Sequence, residues 1–118
     1  MIFEVVLDLF SGRPNPTWNL EGKLAQELVT RLRSLHPAGR QKPLAAPDLG
    51  YRGLRLTQRA AGQNEPWQAP YEIYGGFVKH GDSICLDESR SLERWVLAAG
   101  GPRVEPGLRK QILREIER

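Results

Sequence analysis

Residues 71–87, YEIYGGFVKHGDSICLD, constrain the fold more than any other stretch of the chain. Two runs rich in β-branched and aromatic residues, 71–79 and 83–87, flank Gly81-Asp82. Glycine at the first central position suits a two-residue type II′ turn, whose twist matches that of the paired strands. In this register His80 faces Ser83, Val78 faces Cys85 and Phe77 faces Leu86. Read as one continuous strand, 71–79 puts Ile73, Phe77, Ile84 and Leu86 on one side and Tyr74, Val78, His80, Cys85 and Asp87 on the other. The first set is expected to pack and the second to stay free. Gly75-Gly76, inside that strand, marks a bulge, a close approach by a ligand, or room for an aromatic ring.

The rest of the chain supplies partners for this ribbon. Residues 2–10 alternate Phe3, Val5, Leu7 and Leu9 with Glu4, Val6 and Asp8, the period of a strand with one strongly apolar face. Pro14 and Pro16 with Gly12 end it, since proline cannot donate to a sheet ladder. Asn19 reads as the N-cap of a helix whose stripe is Leu20, Leu24, Leu28, Leu32 and Leu35, widened by Ala25 and Val29 and stopped at His36-Pro37. Residues 37–50 carry three prolines and two glycines and read as a loop. Residues 51–58 form a half-buried strand with Leu54 and Leu56 inward and Tyr51, Arg55 and Thr57 outward. A polar loop over 59–70 holds Trp67. Ser91 reads as the cap of a helix over 92–99, closed by Gly100-Gly101-Pro102. Pro106 opens a last helix with Leu108, Ile112 and Ile116 at four-residue spacing. The predicted fold is α+β: a single domain over 1–118, in the order β-α-β-β-β-α-α, with a mixed or antiparallel sheet covered on one face by helices.

A chain of 118 residues with 26% charged residues is of ordinary size and composition for one core. No apolar run nears the roughly 18–20 residues that span a bilayer, so no membrane role is expected. Residues 2–10 are broken by Glu4 and Asp8 and do not read as a signal peptide. Cys85 is the single cysteine, which excludes an intrachain disulfide and favours a reducing, cytoplasmic setting. The net charge of +3 is unevenly spread. Between residues 31 and 59, seven basic residues (Arg31, Arg33, Arg40, Lys42, Arg52, Arg55, Arg59) meet one acid, Asp48, a local +6. Such a region draws an acidic partner protein or an anionic ligand, or is a solvated loop beside an acidic helix.

Two groups of residues carry candidate chemistry. In the turn 11–18, Arg13 offers a planar cation for carboxylate or phosphate, Asn15 a hydrogen-bonding amide and Trp18 an aromatic wall; with Arg52 and Arg55 these form a candidate ligand-binding set. The same residues also make a stiff strand-to-helix connection, with Asn15 bonding locally and Trp18 packing ahead of the helix. The run from Leu9 through Ser11-Gly12-Arg13-Pro14-Asn15-Pro16 to Trp18 resembles a segment of small bacterial proteins with no assigned activity. That resemblance covers about the first third of the chain and implies a bacterial cytoplasmic protein.

In the ribbon, His80 and Cys85 stand diagonally, ~7–8 Å apart at the backbone, with Tyr74 and Asp87 nearby. This is a candidate catalytic group in which the imidazole would lower the thiol pKa. Against it stands the ordinary role of a strand cysteine as a small apolar residue. One cysteine with His36 and His80 gives no zinc spacing, and no metal or cofactor is expected. No phosphate-binding glycine loop, His-Glu-x-x-His or Gly-x-Ser-x-Gly occurs. Arg52 and Arg55 beside Tyr51 are a faint nucleic-acid signal. Three functions compete: a non-catalytic binding or accessory protein using the Arg13/Trp18 turn and the basic region, a small enzyme with its pocket on the open sheet face, and a nucleic-acid-binding domain.

Overall fold

Alternation at the N-terminus becomes the strand around which the sheet is assembled. In a computed structural model that describes residues 1–9, 14–43, 45–47, 50–59 and 69–117, β1 (Ile2–Leu7) buries Phe3, Val5 and Leu7 and leaves Ile2, Glu4 and Val6 half-buried. It is flanked on both sides. β2 (Thr17–Leu20) pairs antiparallel with Val5 opposite Trp18 and Phe3 opposite Leu20. β4 (Leu54–Arg59) pairs on the other side, with Leu7 opposite Leu54 and Val5 opposite Leu56. Directly opposed residues share a face, so these seven apolar side chains form one continuous inner surface.

β2 corrects the first expectation. Residues 17–20 alternate exposed and buried, and pairing with β1 satisfies their backbone groups; this tertiary pairing overrides the N-cap tendency of Asn19. The segment after β1 is therefore a hairpin connection and not a strand-to-helix one: the Leu7 N–H donates to the Pro16 carbonyl at 3.0 Å, and the Leu9 N–H to Asn15 Oδ1 at 3.0 Å. α1 (Gly22–Arg33) starts after an extended Glu21 that makes no side-chain cap. Its inward stripe is Ala25 and Leu28, with Val29 and Leu32 partly buried, while Leu24 is exposed. After it, β3 (His36–Pro37) adds two residues at the far edge of the sheet.

The second correction falls on residues 71–79. They are two strands, β5 (Tyr71–Tyr74) and β6 (Phe77–His80), because Gly75 and Gly76 take φ values of 63° and 88° and make a tight turn where one strand was expected. β6 pairs with β7 (Ser83–Leu86) in the register read from the sequence, with Phe77 opposite Leu86, Val78 opposite Cys85 and His80 opposite Ser83. The extra turn exchanges the sides of Ile73 and Tyr74. Ile73 faces Val78, and so joins the side of Val78, Cys85 and His80; Tyr74 faces Phe77 and joins that of Lys79, Ile84 and Leu86. The Val78 side is the inner one, since Ile73 and Val78 are buried while Phe77, Ile84 and Leu86 are only half-buried.

Among the described residues the sheet is antiparallel, with seven strands in the order β2-β1-β4-β5-β6-β7-β3. Its inner surface shares one core with buried residues of three helices: Ala25 and Leu28 of α1, Leu92, Val96 and Leu97 of α2 (Ser91–Ala99), and Ile112 and Ile116 of α3 (Pro106–Ile116). The element order is thus β-β-α-β-β-β-β-β-α-α, where three β-strands between the first two helices had been expected. Pro106 opens α3 at its first position, as its missing N–H permits. Ser91 is not the cap of α2. A 3₁₀ turn at Glu88–Arg90 precedes it, and Asp87 reaches over that turn, its Oδ1 accepting from the Leu92 N–H at 2.8 Å and its Oδ2 from the Glu93 N–H at 3.0 Å. Trp18 is buried in the core against Gly100, where an added Cβ would stand 3.0 Å from the indole ring. No helix among the described residues is long and apolar enough to cross a membrane.

Candidate functional site

The outer face of the sheet carries charge because every second residue of β1, β4, β5 and β6 points away from the core. Glu4, Arg55, Glu72 and Lys79 all lie on that side. Pro43, Ala45 and Ala46, from the proline-rich segment that follows β3, lie against part of it. Between the segment and the sheet is a cavity of about 440 Å³, lined among others by Asp8, Asn15, Pro43, Arg52, Arg55, Glu72, Tyr74, Phe77 and Lys79. Among the described residues, Arg52, Arg55 and Lys79 meet Asp8 and Glu72 here. Arg52 Nε stands 4.0 Å from Asp8 Oδ2, and Arg55 Nη2 stands 3.4 Å from Glu72 Oε1. All four side chains are about half exposed, so each pair contributes roughly 0–1 kcal/mol and can be exchanged for a ligand's own charge.

Gly53 shapes the floor. Its φ is 106°, and a Cβ there would lie 2.4 Å from the Ile73 carbonyl oxygen and 2.9 Å from Tyr74 Cβ. Only glycine lets the chain just ahead of β4 approach Ile73 and Tyr74 of β5 this closely, and Tyr74 lines the cavity beside it. The ring is then held from behind. Arg90 places its guanidinium carbon 5.3 Å from the Tyr74 ring centroid, and the Tyr51 ring centroid is 5.9 Å away at an angle of 55°. Arg90 is anchored in turn by Glu93, donating to Oε1 at 2.9 Å and Oε2 at 2.8 Å. Glu93 is fully buried and also accepts from the Tyr51 hydroxyl at 2.5 Å. Burial first, and then the Glu93 carboxylate, push the Tyr51 phenol well above its ordinary range. Arg90 and its neighbour Ser89 sit at φ 54° and 55°, a left-handed geometry that costs non-glycine residues about 1 kcal/mol or more each. The bidentate Arg90–Glu93 pair offsets that strain.

Of the five residues read from sequence as ligand-binding, the structure brings Asn15, Arg52 and Arg55 to this one cavity. Trp18 is in the core instead, because its place in β2 pairs it with Val5 on the inner face. Arg13 and Trp67 lie outside the described residues. The second group is dispersed. His80 and Cys85 share the inner side of the sheet, with His80 stacked on Tyr71 at 3.9 Å between centroids. Tyr74 is on the outer side, and Asp87 is buried with both carboxylate oxygens turned to α2. Among the described residues no three His, Cys, Asp or Glu side chains gather in a way that could hold a metal ion. Sequence reasoning missed Lys79, Glu72 and Phe77 in the cavity, and the buried Tyr51–Glu93–Arg90 group behind it. Arg90 and Glu93 at i and i+3 were a visible signal; Tyr51, 42 residues from Glu93, was not.

Fold and site together define a small antiparallel α+β protein with a concave, mixed-charge pocket on its open sheet face. Compared with known protein families, with curated proteins and with solved structures, the chain matches none of them.

Proposed function

We propose that the chain is a non-catalytic binding protein that takes a small anionic ligand in the open-face cavity. The observation that carries the reading is the convergence of Arg52, Arg55 and Lys79 with Asn15 and Tyr74 around one concavity of about 440 Å³. A pocket of that size suits a small molecule better than the flat surface an acidic protein partner would need. Guanidinium groups grip carboxylate or phosphate oxygens in pairs, and Tyr74 and Phe77 supply apolar walls for the remainder of the ligand. The single cysteine is in keeping with a reducing, cytoplasmic setting, which the resemblance of residues 9–18 to bacterial proteins also implies.

The competing catalytic reading needs His80, Cys85, Tyr74 and Asp87 to converge. With Asp87 committed to α2 and Tyr74 across the sheet, binding is the better supported function. The test is isothermal titration of inorganic phosphate and of citrate at low salt. At least one should bind, more weakly as salt rises, and an Arg52→Ala plus Arg55→Ala variant with unchanged circular dichroism should lose the heat. Equal binding by that variant, or no heat from either anion, refutes the proposal.

A further inference from the structure

The inner side of the sheet holds a second cavity, which the open-face reading does not use. Its floor follows from the strand register. Phe3 stands opposite Gln58; Tyr71, His80 and Ser83 form a cross-strand row; Val78 and Cys85 form the next. The opposite wall comes from Val29, Leu32 and Arg33 in the C-terminal half of α1 and from Leu35 just after it, while α2 packs on β4 and β5. The resulting space is about 460 Å³. Its walls are predominantly apolar, chiefly Phe3, Val29, Leu32, Leu35 and Val78 with the stacked Tyr71 and His80 rings. Arg33 is exposed at the last turn of α1 and reaches the lining, which among the described residues holds no Asp or Glu. Among the described residues no carboxylate lies within 4.0 Å of Arg33. The other arginines of this basic region that line a cavity, Arg52 and Arg55, both have such a partner.

We propose that this cavity binds an amphipathic monocarboxylic acid, its apolar chain lying between α1 and the sheet and its carboxylate paired with Arg33. Apolar walls with a few polar groups at one end are the ordinary design of such sites. Charge complementarity selects the head group: among the described residues the lining offers the Arg33 guanidinium and no carboxylate. Cys85, half-buried in the same lining and the only cysteine of the chain, is a built-in reporter.

The experiment measures the rate at which a thiol reagent labels Cys85, with and without decanoate below its micellar range, against 1-decanol as the uncharged analogue. Decanoate should slow labelling several-fold and 1-decanol should do so more weakly. An Arg33→Glu variant, checked for folding by circular dichroism, should need about tenfold more decanoate for the same protection, a difference worth roughly one charge-assisted hydrogen bond. The Arg52→Ala plus Arg55→Ala variant should be protected like the parent, which separates this site from the open-face one. Unchanged labelling in decanoate overturns the proposal, as does protection by decanoate that Arg33→Glu does not weaken. Protection that grows with protein concentration alone, together with a dimer in sedimentation, also overturns it and assigns the cavity to a second copy of the chain.

Discussion

Replacing Glu93 with glutamine tests the buried group behind the open-face cavity. The substitution keeps the shape and removes the charge. Tyr51 can still donate to the amide oxygen, but Arg90 loses its counter-ion and one of its two acceptors, since an amide nitrogen accepts nothing. Breaking a fully buried pair costs about 3–5 kcal/mol. The Arg90 side chain keeps 20% of its exposure, so water recovers part of that, and the expected loss is about 2–4 kcal/mol. For a domain of this size that corresponds to a fall in Tm of roughly 10–15 °C. Urea denaturation followed by circular dichroism measures it, with the slope m unchanged if the unfolded state is unaffected. An Arg90→Met plus Glu93→Gln variant should regain at least half the loss, because no unpaired cation is left in the fold. A Glu93→Gln protein within about 0.5 kcal/mol of the parent, the scatter of neutral surface changes, would refute the claim that this pair holds the segment. So would a double variant as unstable as the two single losses added together.

Further outcomes follow from the same contacts. Because the Tyr51 pKa is raised by folding, its contribution is fully present below the unfolded value of about 10; above it the unfolded chain loses a proton that the folded one keeps, and stability falls by up to about 1.4 kcal/mol per pH unit. Denaturation curves taken across that range should show a shallower decline for Tyr51→Phe than for the parent, and equal slopes would contradict the assignment. Gly53→Ala should cost about 2–4 kcal/mol, through both its φ of 106° and the Cβ clash with the Ile73 carbonyl. Gly76→Ala, where the nearest atom is 3.7 Å away, should cost only the backbone term of about 1–2 kcal/mol; thermal melts of the two variants compare them. Asp87→Ala should lower stability by about 1–2 kcal/mol through loss of the cap on α2, readable as reduced hydrogen-exchange protection at Leu92 and Glu93.

What could be read from the sequence was set by how local each decision was. The register of β6 on β7 depends on one two-residue turn, and Gly81, with φ 58°, serves it as expected. Pro106 likewise opens α3 for a reason contained in one residue. Asn19 caps helices well and Leu20 fits the stripe that follows, which predicts a helix start there, yet the fate of residues 17–20 depends on β1 ten or more residues earlier in the chain. Gly75-Gly76 is compatible with an uninterrupted strand as well as with a turn, and a continuous strand over 71–79 puts Ile73 and Tyr74 on the sides opposite to those they occupy. The site shows the same division. Arg52, Arg55 and Asn15 could be named from residue type alone. That Lys79, Glu72 and Tyr74 join them depends on the pairing of β4 with β5 and β5 with β6, which no short window contains.

The two sides of the sheet carry different chemistry, and the proposed anion site belongs to the outer one. Amide chemical shifts of the isotopically labelled protein, followed through a citrate titration, test this directly. The expected result is saturable change concentrated at Asp8, Arg52, Arg55, Glu72, Tyr74 and Lys79, with Val29, Leu32 and Cys85 unmoved. Change centred on the α1 side of the sheet, or none at the outer-face residues, would contradict it.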